Sequence, residues 1–169
     1  MLNVKLLPGD LQGDIVPQQN SPHKSPGGQP SIKLGMGNSW YSPGGTFRVT
    51  LQASDGNLVL QCVNDAALPP WQQGQQISPS WIPVWAAGTN GKSATEADMQ
   101  LDGNLVVYAG SDPGAPAVFS SRTNGQEHAF LRVQDDGNLV IYNTGGQAVF
   151  ATNTSALETP GKNAQATTA

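Results

Sequence analysis

The chain of 169 residues contains a single cysteine, few charges and no long apolar run. One thiol, Cys62, cannot close an internal disulfide, and a four-cysteine metal site is excluded with it. The fold must hold by packing and strand pairing. Charged side chains make up only 12% of the residues, and the net charge is -4. No basic patch exists to meet nucleic acid or an anionic membrane surface, so polyanion partners are excluded. No apolar stretch approaches the ~18 residues of a membrane-spanning helix, so no span is expected. The first residues, Met1 to Leu11, are broken by Asn3, Lys5, Pro8 and Asp10 and lack the apolar centre of a secretory signal. A cytoplasmic location is the default expectation, and release by a non-classical route would leave no mark.

What the chain has is turn formers. Its 20 glycines and 13 prolines are about a fifth of all residues, which argues for many tight turns and an all-β protein. The length suits one domain of ~150 residues. Leu2, Val4 and Leu6 alternate with Asn3 and Lys5 as in a short half-buried strand, and Pro17 to Pro30 reads as a polar, Pro-rich arm with almost nothing to bury. The predicted organisation is therefore an N-terminal strand and arm over 1–30, a domain over 31–156, and a small, polar tail over 157–169.

Repetition then fixes the unit. Asp-Gly-Asn-Leu-Val occurs at 55–59, 102–106 and 136–140, and each copy is followed by a second phrase beginning at Val84, Val118 or Val149. Those phrases share a valine, an aromatic (Trp85, Phe119, Phe150), and a threonine four places on (Thr89, Thr123, Thr154). The first repeat is longer by 13 residues, which places an inserted loop at 63–83. A unit this short cannot bury its apolar face alone, but three around an axis can share one interior. Trp85, Phe119 and Phe150 are expected to meet there.

Around Asp-Gly-Asn the pattern is stricter. Gln100, Asp102, Asn104, Val106 and Tyr108 fit Gln-x-Asp-x-Asn-x-Val-x-Tyr, as do Gln134, Asp136, Asn138, Val140 and Tyr142. On one straight strand these side chains would spread over about 26 Å at ~3.3 Å per residue, so a tight turn at Asp-Gly must fold them together. A carboxylate, two amides and a phenol beside valine methyls hold no nucleophile and no base; they suit a vicinal diol and the C–H face of a sugar ring. The first copy is degenerate: Asp55, Asn57 and Val59 remain, Gln61 stands at the tyrosine position, and Gln52 lies one residue early, where a β-bulge could restore it.

With that motif, twice intact, the chain resembles the bulb-type, or monocot mannose-binding, lectins over about Ile32 to Ala156. The resemblance implies a β-prism II fold of three four-stranded antiparallel sheets with pseudo-threefold symmetry. It also implies non-catalytic binding of mannose-containing glycans: the Gln, Asp, Asn and Tyr of each intact copy would bond the sugar hydroxyls, and the valine would touch the ring. Two intact copies predict two sites per chain. Plant members usually carry a disulfide that Cys62 alone cannot form, which points to a bacterial or other non-plant branch. Members often pair by exchanging C-terminal strands, so a homodimer is possible here, with Leu2 to Leu6 as another pairing strand.

No cofactor is expected. Asp135-Asp136-Gly137-Asn138 lacks the spaced ligands of a calcium loop, and His23 and His128 read as surface residues. An enzyme acting on glycosides would need two carboxylates facing each other across a cleft, whereas each repeat supplies one. The alternative to a lectin is a prism scaffold with weakened sugar sites, a protein-interaction or toxin-type module working through the arm or the insertion.

Overall fold

A computed structural model of the chain describes residues 5–64 and 80–155. Every element in it is a strand, and the strands form three sheets. The first holds β4 (Ser39–Tyr41), β5 (Phe47–Leu51), β6 (Leu58–Val63) and β7 (Trp81–Ala86) in antiparallel succession, with β1 (Leu11–Gln12) added parallel to β4. The second is built on β8 (Glu96–Gln100), β9 (Leu105–Tyr108) and β10 (Ala117–Ser120), and β3 (Pro30–Gly35) and β2 (His23–Lys24) extend it beyond β8. The third has β11 (Phe130–Val133), β12 (Leu139–Tyr142) and β13 (Ala148–Ala151). Its fourth position is filled only by Ile15, which bridges Leu131. The expected equal, four-stranded sheets are thus five, five and three strands, because the N-terminal segment contributes unequally to each.

The repeated Leu of Asp-Gly-Asn-Leu-Val explains the shared interior. Leu58 and Leu60, Leu105 and Val107, and Leu139 and Ile141 alternate inward along β6, β9 and β12, each at 0 or 1% exposure. At one end of this core Trp85, Phe119 and Phe150 meet edge to face, with centroids 5.8, 6.2 and 6.5 Å apart. The second phrase of each repeat therefore supplies one aromatic to the axis. Cys62 points into the same core, and burial pushes its thiol up to about 11. A thiol held protonated and covered is inert, so Cys62 should resist alkylation at pH 8 in the folded protein and react once urea unfolds it. Rapid labelling of the native protein would contradict its place in the core.

The arm differs from the expectation. No strand runs through Lys5 to Leu7, which are exposed, and Leu2 and Val4 lie outside the described residues. Asp10 instead accepts the Ser39 N–H and the Asn38 amide on the first sheet, Ile15 is buried against the third, and His23 and Lys24 pair with β3 of the second. Pro17, Ser21, Ser25 and Pro26 are buried, so the segment from Asp10 onward touches all three sheets in turn and its Pro-rich part packs as a strap on the second. The body of the insertion, 65–79, and the tail after residue 155 lie outside the described residues. The insertion's expected limits are strand: Val63 closes β6, and Trp81 to Pro83 open β7.

Candidate functional site

Each Asp-Gly turn folds its motif into a hairpin. Gln100 ends β8, Asp102 and Gly103 form the turn, and Val106 and Tyr108 return on β9. The Gln100 N–H donates to Asn104 O and the Gly103 N–H to Gln100 O, both at 2.9 Å. Gln134, Asn138 and Gly137 repeat these bonds at 2.9 and 3.0 Å. The turn aspartates cap the loop, since Asp102 Oδ1 accepts the Asn104 N–H at 3.0 Å and Asp136 Oδ1 that of Asn138 at 2.9 Å. The Tyr108 hydroxyl donates to Gln100 Oε1, and Gln134 Nε2 donates to the Tyr142 hydroxyl. The hairpin thus gathers the alternating residues of each intact copy on one face.

The threonines of the second phrase lock these turns. Thr89, Thr123 and Thr154 Oγ1 each donate to the glycine carbonyl of the preceding Asp-Gly-Asn, at 2.7, 2.6 and 2.5 Å. Their backbone N–H groups donate to the asparagine Oδ1 at 3.0, 3.3 and 3.4 Å. A backbone N–H can meet only the oxygen of that amide, so it fixes which way the asparagine faces and leaves Nδ2 free to donate to a ligand. Neither Asn104 nor Asn138 spends its Nδ2 among the described residues. Thr123→Val keeps the volume but strands the Gly103 carbonyl, which should cost about 1–3 kcal/mol in urea unfolding; an unchanged midpoint would mean water replaces the clamp.

No protein-family model and no curated protein matches the chain; the likeness lies among solved structures. A monomeric monocot mannose-binding lectin from Gastrodia elata is 35% identical, over 72% of this chain and 91% of its own, with a TM-score of 0.52. The chain belongs to the bulb-type lectins. The Japanese Marasmius oreades lectin is 28% identical over 85% of this chain and 92% of its own, with a TM-score of 0.58. The native mannose-specific bulb lectin from Scilla campanulata, the bluebell, is 29% identical over 84% and 98%, with a TM-score of 0.52. The architecture is β-prism II, and the protein is a carbohydrate-binding lectin.

The three hairpins of this lectin are not equally available. In the first, the expected β-bulge is absent: the turn itself is one residue longer, with Gly56 N–H donating to Gln52 O at 2.8 Å while Gln52 N–H still reaches Asn57 O. Gln52 therefore sits where Gln100 and Gln134 sit, and its amide donates to Asp55 Oδ1 at 3.0 Å. The Asn57 N–H, then that Gln52 bond, hold the Asp55 carboxyl below its usual range. Gln61, in the tyrosine position, accepts from Arg48 Nε at 2.7 Å, and the guanidinium lies 4.1 Å from the Trp81 ring centre. An amide held by a guanidinium replaces the glutamine-bonded tyrosine hydroxyl of the other two hairpins, while Val59 stays buried beneath.

In the second hairpin, the strap lies on the site. Gln100 and Tyr108 are only 4 and 6% exposed. Gly27 stands so close that a Cβ on it would come within 2.7 Å of the Tyr108 hydroxyl. Burial raises the Tyr108 phenol above its ordinary range, with the Ser25 hydroxyl pulling the other way. Among the described residues the third hairpin carries no such cover: Asp136 is exposed and Gln134, Asn138 and Tyr142 are half-buried, with Val140 as the floor. Arg132 stacks 5.4 Å from the Tyr142 ring centre and is held by Asp14 through two bonds of 2.8 and 2.9 Å.

Three residues escaped the motif reading. His23 is no free surface residue; its Nε2 lies 2.9 Å from Glu96 Oε2 and 3.0 Å from Asp98 Oδ1. Desolvation, then the hydrogen bond and charge of Glu96, pushes the Asp98 carboxyl up to about 9. The available signal was the period of two: Glu96 and Asp98 continue the outward face of Gln100 up the strand, but nothing in the sequence brought His23 to them.

Proposed function

We propose that this lectin binds mannose-containing glycans, without catalysis, through its third hairpin. The observation that carries the reading is the uncovered constellation itself: Gln134, Asp136, Asn138 and Tyr142 on one face above Val140, with the asparagine amide turned by its threonine clamp. Asp136 Oδ2 and Gln134 Oε1 remain to accept from hydroxyls, and Asn138 Nδ2 to donate, a set matched to adjacent hydroxyls of a hexose. The mannose specificity named for the Gastrodia and Scilla relatives supports the choice of sugar. A shallow site with so few contacts should hold one sugar at about millimolar Kd, roughly 4 kcal/mol, so avidity would come from association of chains such as a homodimer.

Calorimetric titration with methyl α-mannoside, with galactose as control, tests this. One mannose-selective site per chain is expected, where the two intact motifs alone would predict two. Absence of heat from folded protein would overturn the reading and favour the scaffold alternative, with a protein partner for the strap.

A further inference from the structure

Glu96 and Asp98 are fully buried, and apart from each other, the His23 imidazole and the neighbouring Ser111 hydroxyl their oxygens lack hydrogen-bond partners. Buried carboxylates in that state are costly unless something positive joins them. Among the described residues the His23 imidazole reaches both, its Nε2 carrying at most one proton to offer two acids, while Lys33, opposite Asp98 on β3, bears on Asp98 only through its charge. The corresponding outward positions of the other two sheets hold Arg48 and Thr50, and Phe130 and Arg132, as their registers with Gln61, Val59, Tyr142 and Val140 show. Only the second sheet places two acids there, and only there does the strap bring an imidazole.

We propose that His23, Glu96 and Asp98 bind a divalent cation of the zinc class, which fastens the strap across the second hairpin. The three ligand atoms lie within 4.8 Å of one another. Tetrahedral ligands at the ~2.0–2.2 Å bonds of zinc stand about 3.3–3.6 Å apart, so the 2.9 and 3.0 Å separations from the imidazole nitrogen must open by a few tenths of an ångström to admit the ion, a shift the half-exposed His23 on the strap can make. The cation balances the buried carboxylate charge, displacing the proton that Asp98 otherwise keeps, and gives the remaining oxygens a partner. The His23 side chain is 31% exposed, which opens a route in and leaves room for water as a further ligand. One imidazole with two carboxylates selects zinc over calcium and magnesium, which prefer shells of oxygen, and over manganese by the general order of divalent affinities. With His23 on the strap and both acids on β8, the ion ties Ser25 and Gly27 down over Gln100 and Tyr108. This assignment stands whether or not any hairpin binds sugar.

The test uses the full chain, stripped with chelator and free of sugar. Titration with zinc chloride, followed by calorimetry and native mass spectrometry, should show one ion per chain, with calcium and magnesium much weaker. His23→Ala and Asp98→Asn should each weaken zinc at least ~10-fold; circular dichroism confirms that both are folded. Zinc should also slow tryptic cleavage after the exposed Lys24 in the wild type and not in His23→Ala, a readout of the strap itself. No binding at millimolar zinc, calcium binding as tightly as zinc, or zinc affinity unchanged in both variants would each overturn the site.

Discussion

Asp136→Ala should abolish binding of methyl α-mannoside, while Asp102→Ala should leave it within about twofold of the wild type. The two aspartates occupy the same place in the same motif, and the sequence alone treats them as equals. They differ in what lies above them. Around Asp102, Gln100 and Tyr108 are covered by the strap, and the hydroxyl a sugar would need is packed against Gly27. Asp136 is exposed, and its removal takes away a charged acceptor worth about 1.5–3 kcal/mol for a hydrogen bond, as well as the 2.9 Å cap on the Asn138 N–H. The expected loss is therefore at least ~10-fold, enough to carry a millimolar ligand beyond detection. Calorimetry on both variants, with urea unfolding to confirm each fold, decides it. Equal losses would mean that the strap lifts in solution and both hairpins bind. An unaffected Asp136→Ala would put the ligand elsewhere.

The hairpins, the shared core and the aromatic axis were legible because they are local or repeated. Asp-Gly-Asn dictates a turn, the leucine and valine that follow it alternate in and out, and three copies multiply the signal. The role of Thr89, Thr123 and Thr154 was visible only as recurrence; that their hydroxyls grip the turn glycines depends on the chain folding back 17 to 33 residues later. The strap was illegible for a different reason. Pro17 to Pro30 has few apolar side chains, and its placement rests on backbone pairing of His23 with Ser31 and on small buried groups such as Ser25 and Pro26. Such contacts have no periodicity to read. The extra residue after Gln52 lies in the turn and not in a β-bulge, a difference that sequence spacing hides because it counts residues without saying whether a strand or a turn absorbs them.

Phe47→Ala should produce the largest loss of stability and should also weaken sugar binding, although Phe47 touches no sugar. Its ring is 1% exposed in the core of the first sheet, and truncating a buried phenylalanine costs about 3–5 kcal/mol. The coupling to the site comes from Gly137, the turn glycine of the third hairpin, whose φ of +97° is open to glycine at little cost. A Cβ on that glycine would stand 3.1 Å from the Phe47 ring and 3.0 Å from Thr154 O, so the turn lies directly on the phenylalanine. Beside it, the Gly44 N–H of the same sheet donates to Asp135 Oδ1 at 2.8 Å. The first sheet is thus the floor on which Asp136 and Asn138 are held, and a cavity beneath the turn should release it. Phe47→Leu keeps most of the volume and should lose about 1 kcal/mol or little more, with sugar affinity retained. Urea unfolding and mannoside titration on the two variants separate packing from positioning. If Phe47→Ala loses the expected stability but keeps its affinity, the threonine clamp alone sets the turn, and the neighbouring sheet contributes only to the core.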